Sequence, residues 1–106
     1  MKASVIKALQ NLSDQGGVDT FIKVLSHGSM SVELYLPIDI DHQTPHTQDE
    51  LYVIVSGNGE LYMNGITTPC ELGDILFVPA GAVHRFENFT SDFATWVIFY
   101  GPAGGE

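Results

Sequence analysis

An all-β sandwich or barrel is the fold class that this 106-residue chain predicts. Three observations carry that reading. From Phe21 onward, short runs rich in Val, Ile, Leu, Phe and Tyr follow one another: "FIKVLS", "MSVELYLPI", "LYVIVS", "GELYMNG", "DILFVP", "HRFENF" and "FATWVIFY". Turn-forming breaks such as "HGS", "SGNG", "NGITTP", "PAGAV" and "NFTSD" separate them. No long helical pattern, linker, low-complexity segment or repeat interrupts the series. Short strands at close, regular spacing with glycine turns are the signature of a sandwich or barrel.

The elements follow in order. In the first segment Val5, Ile6, Ala8, Leu9 and Leu12 fit a helical stripe. "SVIKAL" reads equally well as a short strand, and "SDQGG" ends either one, since Gly16 and Gly17 break regular structure. Asn64-Gly65 in "MNGI" is a two-residue hairpin signal, and "SGNG" is a second tight turn. "FATWVIFY" does not alternate, so large apolar groups fall on both of its faces. One face meets the barrel interior. The other needs cover. A homodimer is the leading expectation, and cover by another strand or by the N-terminal segment is the alternative.

Composition narrows the partners. The net charge is -9, and past Lys23 the only Lys or Arg is Arg85. Such a chain repels phosphate backbones and anionic membrane surfaces, so neither nucleic acid nor membrane is expected. A single cysteine, Cys70, allows no intrachain disulfide. The first residues lack the apolar core of a signal peptide, and "FATWVIFY" is too short to span a bilayer as a helix. One cytoplasmic domain over residues 1–106 is expected, its barrel core at about 20–102.

Chemistry gathers in "DHQTPHTQDELYVIVSG". If it runs extended from His46, one face presents His46, Gln48, Glu50, Tyr52 and Ile54. In "HRFEN", His84 and Phe86 share a face with Asn88. Two such strands side by side would bring His46, Glu50 and His84 together. Two imidazoles and a carboxylate suit a divalent first-row metal with positions left open. Tyr52, Phe86 and Trp96 are candidates to shape the pocket, and Gln48 is a candidate to touch substrate. Asp39, Asp41 and Asp49 read as solvated charges. Cys70, with no histidine or basic residue adjacent in sequence, reads as unreactive.

These stretches resemble the paired motifs of the cupin superfamily. In "GDILFVPAGAVHRFEN", Gly73, Pro79, Gly81, His84 and Asn88 occupy every fixed position of the second motif. In "HTQDELYVIVSG", His46, Glu50 and Gly57 match the first. The resemblance implies a double-stranded β-helix, or jelly-roll barrel. It also implies one divalent transition-metal ion, drawn from iron, manganese, zinc, nickel and copper, held by His46, Glu50 and His84. One position departs: Thr44 stands where the family has another histidine. His42 is a candidate replacement if the "HQTP" segment bends, and Gln43 is another through its amide oxygen. The expected function is a metal-dependent enzyme on a small organic molecule, of dioxygenase, isomerase or lyase type. The alternative is a non-catalytic small-molecule-binding or sensing module. Fold analogy alone does not choose between them.

Overall fold

The computed structural model describes residues 1–16 and 20–106. Among these residues one helix, α1 (Val5–Asp14), precedes eight strands: β1 (Phe21–His27), β2 (Met30–Tyr35), β3 (Asp49–Ser56), β4 (Asn58–Met63), β5 (Ile66–Glu71), β6 (Ile75–Val78), β7 (His84–Glu87) and β8 (Ala94–Tyr100). They form a five-stranded sheet in the order β1-β2-β8-β3-β6 and a three-stranded sheet in the order β5-β4-β7, with every pairing antiparallel. The result is the jelly-roll barrel that the sequence predicted.

The N-terminal ambiguity resolves to a helix. Ser4 is extended and its hydroxyl accepts the Lys7 N–H at 3.2 Å, which caps the first turn. The apolar stripe then buries Ala8 and Leu12. Gly16 follows at φ +88°, a conformation that ends the helix. Gly17, the other expected breaker, lies outside the described residues.

β5 was not foreseen. Its stretch, "ITTPCE", reads as a turn because Pro69 interrupts it. It lies at the edge of the three-stranded sheet, where a residue without an N–H is tolerated. Cys70 is therefore a buried strand residue, and burial, then the charge of Asp74, push its thiol up to about 11. The thiolate is correspondingly scarce at neutral pH.

Alternating burial puts the core between the sheets. Tyr52 and Ile54 from β3, Leu61 from β4, Val78 from β6, Phe86 from β7 and Val97 from β8 point inward with Phe93. Tyr52, Phe86 and Phe93 meet edge to face, at centroid distances of 4.7 and 4.8 Å. Burying each such ring stabilises the fold by roughly 1.5–3 kcal/mol.

The outer face of the five-stranded sheet has two parts. α1 lies over one of them, where Ala8 packs with Leu34 and Ala94 against Ile22, Val55 and Trp96. The N-terminal segment thus supplies part of the cover that the greasy β8 strand requires. Next to it runs a row across all five strands. Phe77 pairs with Leu51, Leu51 with Ile98, Ile98 with Val32, and Val32 with Leu25.

The turns use their glycines as the backbone demands. Asn64 and Gly65 take φ values of +48° and +91°, the paired positive angles of a two-residue hairpin. At Gly57 (φ +72°) the chain passes from one sheet to the other, and the backbone of β8's approach presses close. A Cβ there would meet the Thr90 hydroxyl, Asp92 Oδ1 at 2.7 Å and Phe93 Cα at 2.9 Å. We predict that Gly57→Ala destabilises the protein by roughly 2–4 kcal/mol. The measurement is the urea midpoint, which should fall with an unchanged m-value. A midpoint within error of the parent would mean that the crossing relaxes freely.

Candidate metal centre

β3 opens with two carboxylates, Asp49 and Glu50, and the two have different surroundings. Glu50 points into the barrel and is fully buried, in the row that contains Val78 of β6 and Phe99 of β8. His46 stands in the loop before the strand, not on it. Its Nε2 lies 2.8 Å from Glu50 Oε1, and its Nδ1 lies 2.7 Å from the Gln48 carbonyl. His84 begins β7 on the opposing sheet, so it reaches Glu50 across the barrel rather than from an adjacent strand. Its Nε2 is 3.3 Å from the same Glu50 oxygen, outside hydrogen-bond geometry. Its Nδ1 lies 2.9 Å from the Ala82 carbonyl.

These contacts define the protons. A carbonyl oxygen can only accept, so each imidazole carries a hydrogen on Nδ1. In the neutral rings both Nε2 atoms then present lone pairs toward a carboxylate. One ligand atom from each of His46, Glu50 and His84 can be chosen so that all lie within 4.8 Å of one another. Glu50 Oε2 and His84 Nε2 are buried and have no hydrogen-bond partner among the described residues. Converging lone pairs without a proton between them repel. The pocket therefore demands a proton on one of these three groups or a metal ion. Burial lowers the basicity of His84, but Glu50 and the Ala82 carbonyl outweigh it and hold the ring above the usual imidazole range. The donor set, two imidazole nitrogens and a carboxylate, fits a divalent transition metal.

Access runs past His46, whose side chain is 19% exposed while those of Glu50 and His84 are closed off. A cleft lined by Pro45, Thr47, Ala80, Gly81 and Gly104 opens beside it. Asp49 builds the wall of this cleft by accepting the N–H groups of Ala80 at 2.9 Å and Glu106 at 3.1 Å. Those bonds hold its carboxyl below the usual carboxylate range.

The other expected residues separate into two groups. Tyr52 and Phe86 lie in the interior, with the Tyr52 ring 6.4 Å from that of His84. Burial first, and then the charge of Glu50, raise the Tyr52 phenol well above its usual range. His42 is exposed and stands outside the cluster, so the bend at "HQTP" does not swing it inward. Gln48 is engaged elsewhere, donating its amide to the carbonyls of Ser29 at 2.8 Å and Gly101 at 3.0 Å. Trp96 faces the opposite side of its sheet, against α1. The extended run assumed from His46 does not hold, because the strand begins only at Asp49 and Gln48 precedes it.

Asp41 and Asp49 also depart from expectation, since neither is a solvated charge. Asp41 is 5% exposed. It accepts the Tyr35 hydroxyl, the Gln43 N–H at 3.1 Å, the Gln43 amide at 2.7 Å and the Phe86 N–H at 2.8 Å. The bond to the N–H two residues on is an Asx turn, a signal present in "DHQ". It bends the loop so that Gln43, rather than His42, enters the barrel. There Gln43 Oε1 accepts the Tyr52 hydroxyl at 2.9 Å. Phe99, which packs edge-on against His46 at 4.8 Å, was hidden in an apolar run.

Comparison with known proteins agrees with this geometry. The cupin domain family matches residues 34–100. An uncharacterized protein of Streptomyces coelicolor is 36% identical over 85 residues, covering 77% of this chain and 80% of its own length. A Cupin 2 conserved barrel domain protein from Salinispora arenicola superposes with a TM-score of 0.63 at 19% identity, covering 79% of each chain. The DMSP lyase DddQ from Ruegeria pomeroyi gives a TM-score of 0.63 at 22% identity, over 76% of this chain and 46% of the lyase. With the family matching more than half of the chain and a relative 36% identical over 77% of it, the protein belongs to the cupin domain family.

Proposed function

We propose that this cupin holds one divalent transition-metal ion on His46, Glu50 and His84 and acts as a metal-dependent enzyme on a small organic molecule. The convergence of unpartnered Glu50 Oε2 and His84 Nε2 with the His46 ring carries the reading. A bound metal would supply Lewis acidity or an oxygen-binding centre, consistent with lyase, isomerase or dioxygenase chemistry. The chain's own groups would hold and orient. Carbonyls of Gln48 and Ala82 keep each ring's Nε2 toward the ion. The Tyr52 phenol, kept protonated by its surroundings, would donate to a substrate oxygen in place of Gln43. DMSP lyases share the barrel, so small-molecule chemistry is within the reach of this fold. The non-catalytic binding module is favoured by one feature: Tyr52 and Gln43 already satisfy each other, leaving no free base among the residues that touch the cluster.

We further propose that the row Phe77–Leu51–Ile98–Val32–Leu25 packs against a second copy in a homodimer. Phe77 is 46% exposed, and a contiguous apolar row beside α1 is the kind of surface that association covers.

Chelator-treated protein given zinc should take up about one ion per chain. Glu50→Ala and His84→Ala should each weaken uptake by at least about tenfold while leaving the fold intact. Uptake at parental strength in both variants would move the ligands elsewhere. Because a protonated His84 cannot ligate and its proton is held tightly, zinc affinity should climb as pH rises from about 6 through the raised His84 value. Stability of the metal-free protein has the opposite sign. The folded chain binds this proton more tightly than the unfolded one, so the contribution is complete below about 6.5 and is lost as pH rises through the folded value. Urea titrations with and without zinc across that range check both signs. For the dimer, Ile98→Glu should halve the mass seen by light scattering without loss of β-structure. A monomeric parent would dispose of the interface.

A further inference from the structure

A second cleft is bordered by Phe99, the ring that packs on His46. It holds about 140 Å³ and is lined by Phe21, Glu33, Tyr35, Gln43, Val97 and Phe99. Glu33 is half-buried there, one strand from Val97 and two strands from Tyr52, since β8 separates β2 from β3. Two strand spacings put its backbone roughly 10 Å from that of β3.

The polar groups of the cleft are unequally committed. Gln43 is bound to Asp41 and Tyr52, and the Tyr35 hydroxyl is given to Asp41. Among the described residues no hydrogen bond or ion pair engages the Glu33 carboxylate, although Lys23 stands opposite it on β1. The charges acting on it are Lys23 from β1 and Glu50 from β3, and Glu50 in turn meets His46 and His84. Arg85, the only late cation, lies over the Tyr62 ring at 4.2 Å and near Glu87, and does not line the cleft. Burial, opposed by Lys23 and reinforced by Glu50, holds the Glu33 carboxyl above its usual range. A carboxylate with no hydrogen bond or ion pair among the described residues, the one charged group in the lining and set with Phe21, Tyr35 and Phe99, is the chemistry that recognises an organic cation.

We propose that this cleft is a binding site for a small organic cation, an amine or quaternary ammonium group, with Glu33 as its counter-ion. This names the substrate class of the metal site and, in that respect, rests on the reading above; the cleft itself does not require the metal. A short molecule could place its cationic head at Glu33 while its other end lies at the cluster. Among the described residues the lining holds no cation for an anionic substrate, and Lys23, opposite Glu33 on β1, is not part of it.

The test compares choline with 3,3-dimethylbutan-1-ol, its neutral isostere, by NMR titration of the full chain, both metal-free and zinc-loaded. Choline should bind about tenfold or more tightly than the alcohol, with shifts centred on Val97 and Phe99. Glu33→Gln should remove that preference while leaving the alcohol's affinity and the zinc stoichiometry unchanged. Glu33→Asp should restore part of it. Equal affinity for the two probes, no binding of choline, shifts centred elsewhere, or an undiminished preference in Glu33→Gln would each overturn the assignment. The two readings fail separately. Choline bound at Glu33 by a chain that takes up no zinc would sink the metal site alone. Normal zinc uptake without choline binding would sink the cleft alone.

Discussion

A carboxylate buried in an apolar barrel is the constraint on which this structure depends. Glu50 is fully buried on the core face of β3, the same face as Tyr52 and Ile54. An isolated charge in such a place costs several kcal/mol, so it persists only if cations or hydrogen bonds meet it. The barrel delivers them from two directions. His46 comes from the loop that enters β3, and His84 comes from the first residue of β7 on the facing sheet. Each ring is oriented through its second nitrogen by a main-chain carbonyl, so the cluster's geometry is built into the backbone path.

The long connection between β2 and β3 can then be understood as scaffolding. Asp41 joins it to the three-stranded sheet through the Phe86 N–H and to β2 through the Tyr35 hydroxyl. With both oxygens occupied, the carboxylate turns the chain so that one neighbour, Gln43, enters the barrel and another, His42, stays in water. Asp49 has the matching role on the other side of His46, where it fastens Ala80 and Glu106 beside the opening. Two acids that charge counting assigns to solvent are thus structural acceptors of main-chain N–H groups, which are strong, charge-assisted bonds. The same loop contributes to both sites, Gln43 to the lining of the Glu33 cleft and His46 to the metal cluster.

Much of this was legible in the chain because it is local. The strand runs, the Asn64-Gly65 hairpin, the glycines at positive φ and the spacing of Gly73, Pro79, Gly81 and His84 all follow from rules that act over a few residues. So does the inward parity of Glu50 with Tyr52 and of His84 with Phe86. What misled was also local. Pro69 disguised an edge strand, and extending the β3 pattern back to His46 missed that Gln48 lies before the strand, with its amide on the carbonyls of Ser29 and Gly101.

The sequence by itself determined the fold class and the residue types of the candidate cluster, since periodicity and turn chemistry are carried by neighbours in the chain, and its two motifs carried the resemblance to the family. Only the tertiary structure decided how those residues meet. His84 approaches Glu50 from the opposing sheet, Trp96 turns to α1, and Glu33 joins Phe21 and Phe99 around one cleft. The physical reason is that sheet order and cross-barrel contact depend on which distant strands pair, and parity along one strand says which face a side chain takes but not what that face will meet.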